Sequence, residues 1–533
     1  DPGFSFCWDN VQKLSITRHP GVNKNSMMIW ALCFATQNRI SFSHEEFNQD
    51  TISATEIPLN IFLPSKDDFQ CLRERMEIMV QHIIVKYFDE FKECTVPRIT
   101  HEFTEESDTK SHIVNLGVIQ ENPSTCKGTI EILKYLHRYV PQYSDGKPYQ
   151  TVCSGDQLSV ERMIEAKLAM ACSEEPSDRL DGLVPRPQGF HKRNIVLQDA
   201  MNMLYDGRST GDLGSLIQIR NTFHFNNVKK KVADNINHAV DFWNFVTEAF
   251  ICSIVCKILN VLSVDEKFQT MEDKQQEIKG IAIQVVDKVW PRISFNSIRD
   301  ACEESLESTT ESSIDHVCEY TRAVVWQGLK MMCQRDAERE NNGNFLMIDW
   351  RVDMVDFWNN NHYKYLILGH RLLSDMNGLL PERLAQEIKW NSTANLSGLP
   401  GHNIALDLVN EFLNNEFKTN LKECHGRYTD KQIHRCSKLV GKLGKDTERI
   451  YQYNIVQKPV IHCHSSEVDN TKNIKKFLEL YMPQNMLENS NTLRSHRGFH
   501  DFVHRICIKN PKKLSERLSK YRINLANEQY VHL

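Results

Sequence analysis

No apolar run in this chain reaches the roughly 18 to 20 residues that a helix needs to cross a bilayer. The best candidate, Phe250 to Leu262, is short and carries Lys257, so no membrane-spanning segment is expected. A general excess of positive charge is missing too. The formal net charge is −5 and the isoelectric point about 6.5, so any nucleic-acid surface has to be a local cluster of Lys and Arg. Zinc-ligand spacings are absent. Cys424-His425, His434 with Cys436, and His462-Cys463-His464 do not have finger spacing. His496, His500 and His504 share a helical face but lack an acid or cysteine at fixed spacing, and read as packed or exposed histidines. There is no phosphate-cradling glycine loop, nucleophile elbow or internal repeat, and no organic cofactor is expected.

What remains is an ordinary globular composition: 533 residues, 41% hydrophobic and 25% charged, enough for about two to four cooperating units. The 16 cysteines are scattered. Many, such as Cys252, Cys256, Cys318 and Cys333, lie in apolar helical segments, which suits reduced thiols in the cytosol or nucleus. The chain opens with Asp1-Pro2 rather than methionine, so it is expected to be a fragment lacking upstream sequence.

Three acidic positions draw attention. In YQTVCSGDQLSVERM, Tyr149 to Met163, an apolar strand stops at Ser154-Gly155. Asp156 follows, and a helical pattern runs from Leu158 to Cys172. A carboxylate between strand and helix sits where open α/β sheets place their chemistry; it is equally a favoured helix cap. Phe4 to Trp8, FSFCW, reads as a buried strand delivering Asp9 in the same way, or as a strand followed by a plain Asp turn. On the helix Ile404 to Lys418, Asp407 and Glu411 are four apart and share a face, with Asn414 and Asn415 one turn on; ordinary amphipathicity makes the same pattern. Carboxylates suit hard cations such as Mg²⁺ or Mn²⁺, and a pair of ions about 4 Å apart performs phosphoryl transfer without a protein nucleophile.

Around these positions, Asp67 to Phe91 and Gly128 to Val140 have helical period and His112 to Ile119 reads as a strand. Met27 to Thr36 is a strand or a helix. Ile57 to Leu63, between prolines, reads as extended linker. Glu174 to Gly189 and Trp390 to Asn403 read as loops. His191 opens a helical segment, Asn194 to Tyr205. Lys229, Lys230 and Lys231 begin a helical region, Val228 to Leu262, as a phosphate-contact candidate or a solvated face. Helical patterns continue over Glu266 to Val289, Ser297 to Arg335 and Trp350 to Leu379, and the C-terminal part, with Thr429 to Lys445 and Asn473 to Leu480, is helical and basic.

YQTVCSGDQLSVERM, SDRLDGLVPRPQGFH, GDLGSLIQIRNTFHFNNVKKKVADN and WNSTANLSGLPGHNIALDLVNEFLNNEFK together resemble the domain of unknown function 6589, found in multiplied, transposon-like gene copies, and the WDN at Trp8 to Asn10 resembles that family's first acidic motif. The resemblance implies an α/β ribonuclease H-like core interrupted by a long all-helical insertion, the layout of DDE/D transposases. It implies Asp9, Asp156 and Glu411 as catalytic acids and ligands of two Mg²⁺ or Mn²⁺ ions, with Asp407 the alternative third acid. Where the family often has GDWH, this chain has QGFH, ending at His191, which is read as structural. The implied organisation is a first core part over 1–160, a helical insertion over 161–395, the core-completing helix in 396–450 and a basic helical region over 451–533. The implied activity is metal-dependent DNA strand cleavage and transfer at transposon ends, in a homo-oligomer, with Lys229, Lys230 and Lys231 on phosphates. The alternative is a non-catalytic scaffold that binds nucleic acid or protein.

Overall fold

The computed structural model describes residues 3–15, 26–42, 51–270, 272–290, 315–422, 428–440, 470–488, 490, 494 and 511–527. It is a mixed α/β structure, mainly helical. Five strands, β1 (Phe4–Ser15), β2 (Ser26–Gln37), β3 (Ile113–Ile119), β4 (Thr151–Gly155) and β5 (Leu183–Pro187), form one sheet in the order β3-β2-β1-β4-β5. β2 pairs antiparallel with both neighbours, and the β1–β4 and β4–β5 pairs are parallel. β2 therefore runs against the other four strands.

Between β2 and β3 lie α1 (Lys66–Tyr87) and α2 (Thr104–Asp108), and α3 (Cys126–His137) and α4 (Gln157–Met170) flank β4. After β5 come α5 (Gly189–Leu204), α6 (Leu216–Thr222), α7 (Ile236–Leu259), α8 (Lys274–Val289), α9 (His316–Arg339), α10 (Gly343–Asn359), α11 (Tyr363–Ser374) and α12 (Glu382–Trp390). A hairpin of β6 (Thr393–Asn395) and β7 (Asn403–Ala405) then turns into α13 (Leu406–Lys422). α14 (Asp430–Leu439), α15 (Thr471–Tyr481) and α16 (Pro511–Ala526) complete the described helices.

The period of two along β1 sorts its side chains. Phe6 and Trp8 pack with Leu133 of α3 and Val160 and Met163 of α4. Cys7 and Val11 lie on the other face, with Leu406, Val409 and Phe417 of α13. Asp9, between Cys7 and Val11, shares the α13 face. The sequence suggested a strand ending at Trp8, but β1 continues to Ser15 because Met27 to Thr36 is itself a strand and pairs with it throughout. Asp9 is thus mid-strand, opposite Leu32. On its other side β4 pairs only with Phe6 and Cys7, which leaves Asp9 just beyond the last pairing of β4, where Asp156 follows.

Three further expectations change. Glu174 to Gly189 contains β5, hidden by Pro185 and Pro187. These prolines are tolerated because β5 is an edge strand whose alternate N–H groups face away from β4. Trp390 to Asn403 contains most of the β6–β7 hairpin, whose strands are only three residues each. Ile57 to Leu63 is no extended linker: Leu59–Phe62 forms a 3₁₀ turn, and Ile57 and Phe62 are fully buried, with the Phe62 ring stacked 4.2 Å from His370. Flanking prolines fix the backbone at each end but do not prevent a turn that buries apolar residues.

The largest apolar core joins α1 to α5, α7, α8, α9 and α15. α7 is long and apolar enough to cross a membrane by length and composition, yet 78% of its most apolar window is buried in this protein core. A charged cluster is buried between α5, α9 and α10. Lys192 reaches Asp353 at 2.6 Å, Lys330 reaches it at 3.1 Å, and Gln334 donates to both its oxygens. Lys330 also pairs with Asp356. Removing the shared anion leaves buried ammonium groups short of a partner, so Asp353→Ala should cost about 3–5 kcal/mol in urea unfolding. Asp89→Ala, which breaks an exposed pair with Lys92, should stay within about 1 kcal/mol of wild type.

Candidate active site

The hairpin register, Thr393 opposite Ala405 and Asn395 opposite Asn403, delivers Leu406 straight into α13. Along this helix Asp407, Glu411 and Asn414 recur at i, i+4 and i+7, so they share one face. Asp407 is 1% exposed and heavily engaged. Its carboxylate accepts hydrogen bonds from the backbone N–H groups of Phe190 (3.1 Å) and His191 (3.0 Å), from that of Leu408 (3.1 Å), and pairs with His191 Nδ1 at 3.0 Å. The side chain of Gln188, at the start of α5, makes no cap hydrogen bond. Asp407 therefore caps α5 from a distant part of the chain, where the helix dipole favours an anion.

His191, fixed by Asp407, turns Nε2 toward Glu411 Oε1, 3.8 Å away. Asn414 places Nδ2 3.5 Å from Asp9 Oδ2 and 3.4 Å from the Asn10 carbonyl. Asp9 is 7% exposed, and its Oδ1 accepts from the Asn10 N–H at 2.7 Å. Asp156 does cap α4: its Oδ1 accepts from the Ser159 N–H at 2.7 Å. One oxygen does the capping. Oδ2 makes no hydrogen bond to a described residue.

The electrostatics register this crowding. Burial raises the Asp9 carboxyl to about 7, and the charges of Asp156 and Glu411 push the same way against the Asn10 N–H and His191. For His191, burial works against the proton, but the hydrogen bond and charge of Asp407, with Asp156 and Asp9 beyond, raise the imidazole to about 9. The structure thus brings Asp9, Asp156 and Glu411 into mutual influence around His191. It gives Asp407 a capping and orienting position. Among the described residues no three His, Cys, Asp or Glu side chains are gathered closely enough to form a ready metal-ligand set. Asp9, Asp156 and Glu411 each offer hard carboxylate oxygens, and Glu411 is a third exposed. That donor chemistry fits Mg²⁺ or Mn²⁺.

Lys229, Lys230 and Lys231 are exposed in the loop before α7, not at a helix start. Gln198 of α5 holds this loop by donating to the Lys230 carbonyl and accepting from the Val232 N–H, both at 3.0 Å. Gln198 is seven residues past His191, about 10 Å along the helix, so the lysines flank the acids rather than join them. His496, His500 and His504, Cys424-His425 and His462 to His464 lie outside the described residues. Sequence reasoning missed Tyr365 of α11. Its hydroxyl is held above its usual pKa by burial and by the charges of Asp156 and Asp407. No motif marks it, because only tertiary packing brings it within the influence of those charges.

An α/β sheet with acids at the ends or centres of adjacent strands and on a returning helix defines the class: a sheet-based protein with a composite acidic site. Residues 52–452 match the model of a family of unknown function, DUF6589, and the chain belongs to that family. The match includes Asp156, His191, Tyr365, Asp407 and Glu411, while Asp9 precedes it. No curated protein and no solved structure matches the chain.

A raised carboxyl pKa makes folding favour the protonated acid, so stability due to Asp9 is present below about pH 4 and is lost as pH rises toward 7. A raised imidazole pKa adds stability that is complete below about pH 6.5 and fades toward pH 9. Both slopes have the same sign. Thermal melts in chelator should fall from pH 4 to 9, with Asp9→Asn flattening the lower half of that decline and Asp407→Asn the upper half.

Proposed function

We propose that this chain is a transposase-like enzyme that cuts and joins DNA strands by metal-dependent phosphoryl transfer, on a ribonuclease H-like core interrupted by a helical insertion. The observation that carries the reading is that Asp9 on β1 feels the charges of Asp156, from the end of β4, and of Glu411, on α13, whose carboxylate lies 3.8 Å from His191. The sheet supports it: β2 alone is reversed, and the first two acids come from the parallel neighbours β1 and β4. The third arrives on a helix that returns to the sheet after the helical stretch, as expected for an interrupted core.

In this reading Asp9, Asp156 and Glu411 would hold two Mg²⁺ or Mn²⁺ ions. When bound, the ions lower the pKa of an attacking water or 3′-hydroxyl and stabilise the leaving oxygen. Asp9 is buried and mid-strand, held by the ladder with β2. Asp156 offers the oxygen not used in capping α4. Glu411, a third exposed, would face the substrate, and His191 keeps its position through Asp407. Lys229, Lys230 and Lys231 bind flanking phosphates, which position a strand without reading its sequence. DNA at transposon ends is the proposed partner, a homo-oligomer the proposed assembly, and the nucleus or cytosol the proposed compartment. A second reading, a non-catalytic binding scaffold, is favoured by one observation: Asp156 caps α4 and Asp407 caps α5, so both acids have structural reasons to be there.

Titration calorimetry with Mn²⁺ and nicking of supercoiled plasmid in Mg²⁺ or Mn²⁺ separate the two readings. Wild type should bind the ion and nick. Asp156→Ala, Asp9→Asn and Glu411→Gln, folded by circular dichroism, should nick at least about 10²-fold more slowly. A folded wild type that binds no Mn²⁺ and leaves the plasmid intact overturns the enzyme and favours the scaffold. Replacing Lys229, Lys230 and Lys231 by Gln should make the slope of log affinity against log salt shallower by about 1 for each phosphate no longer neutralised.

A further inference from the structure

We propose that α13 and α14 carry a binding surface for the phosphate backbone of a nucleic-acid duplex, running from Glu411 along Lys418 and Lys422 and over Lys431, Arg435 and Lys438; the choice of nucleic acid rests on the phosphoryl-transfer reading above. The solvent side of α13 changes sign along its length. Glu411, Asn415, Lys418 and Lys422 recur at i, i+4, i+7 and i+11, so they form one row. Glu411 is a third exposed, Lys418 is half-buried, and Asn415 and Lys422 are exposed. Glu416 lies about 160° round the helix from Lys418, so no second acid interrupts the row. From Glu411 to Lys422 the helix rises about 16 Å, roughly five nucleotide steps along one strand of a duplex.

α14 adds a second row on a fixed support. Its Ile433 and Cys436 pack inward with Phe417 and Leu421 of α13, and the Cys436 thiol lies 3.6 Å from the Asn420 carbonyl. Ser437 is bonded to β3 through the Val118 N–H and the Asn115 side chain. Lys431, Arg435 and Lys438, at i, i+4 and i+7, are exposed on the opposite side. Asp430, the acid of this helix, stands about 100° round from Lys431.

This row is arranged against the stability of its own helix. Like charges three and four residues apart repel, and Lys431, in the first turn, meets the end of the dipole that favours an anion. None of the five cations makes an ion pair or hydrogen bond with a described residue. Charges that cost the fold and have no partner in it are matched by an external polyanion. A duplex, with one negative charge per about 1.7 Å of axis, is such a polyanion. Because Glu411 heads the row on α13, the polymer this surface would lead to the acids is a phosphodiester chain, and its phosphates would fix position without reading sequence.

The test compares wild type with two variants, Lys431→Gln/Arg435→Gln/Lys438→Gln and Lys418→Gln/Lys422→Gln. Its readouts are thermal melting, Mn²⁺ binding by calorimetry, anisotropy of a labelled duplex oligonucleotide in Ca²⁺ across a salt series, and plasmid nicking against DNA concentration in Mn²⁺. Both variants should bind Mn²⁺ as wild type does, and the triple variant should melt no lower than wild type. The slope of log affinity against log salt should become shallower by about 2 to 3 in the triple variant and about 1 to 2 in the double, with affinity down at least about 10-fold and nicking losing through a higher KM. If wild type nicks and binds the duplex while both variants keep its affinity and slope, the surface is overturned and the enzyme reading stands. If the triple variant melts well below wild type, its cations serve the fold and the surface is overturned. If wild type binds polyglutamate and not the duplex, the surface belongs to an acidic protein and the proposal falls. If the variants lose the duplex but wild type binds no Mn²⁺ and leaves the plasmid intact, the surface stands and the enzyme reading falls.

Discussion

The site depends on one carboxylate that need not touch a substrate. Asp407, buried at the start of α13, closes the open N-terminus of α5 and grips the imidazole of His191. Every other relation follows from that joint. It fixes α13 against the edge where β5 passes into α5, which sets the rotation of α13 about its own axis. With that rotation set, the side chains four and seven residues on face Glu411 toward His191 and Asn414 toward Asp9. A helix cap shared between segments more than two hundred residues apart ties the two ends of the helical stretch together.

Like charges crowd the site the joint creates. Asp9 prefers the proton first because it is buried; the charges of Asp156 and Glu411 add to that preference, and the Asn10 N–H and the charge of His191 ease it. Burying carboxylates so close together costs stability unless something compensates. The buried cluster of Lys192, Lys330 and Asp353 beneath α5 is the contrasting case, with each charge matched inside the protein. One cluster is closed and structural. The other leaves Glu411 a third exposed.

The sequence was most legible where period and chemistry agreed. The i, i+4 spacing of Asp407 and Glu411 correctly placed both on one face of a helix, and the break after Gly155 correctly placed Asp156 between strand and helix. The two readings of Asp156 turned out not to compete, since one oxygen caps while the other remains uncommitted. The extent of β1 was hidden because Asp and Asn within a strand usually mark its end, and only the long ladder with β2 carries the strand past them. β5 was hidden by its prolines and the β6–β7 hairpin by its brevity. Separating Asp407 from Glu411 required the fold: identical spacing says nothing about which acid meets the N-terminus of another helix. Tyr365 was invisible for the same reason.

The edges of the sheet carry a final consequence. Because the Gln188 N–H bonds to the Gly155 carbonyl, alternation turns positions 185 and 187 outward, and both are proline. At the opposite edge, α14 covers part of β3: the Val118 N–H donates to Ser437 Oγ and the Asn115 side chain to the Ser437 and Val440 carbonyls, beside Gly117 at φ +93°. Glycine there leaves room that a Cβ would take, since Ser437 Oγ would lie 2.9 Å from it. One margin thus has prolines at its outward positions and the other gives the Val118 N–H to a helix, which makes both edges poorer templates for strand addition. Among the described residues, a sheet shared between copies of this protein would have to grow from the part of the β1–β2 ladder that runs on past β4 and β3.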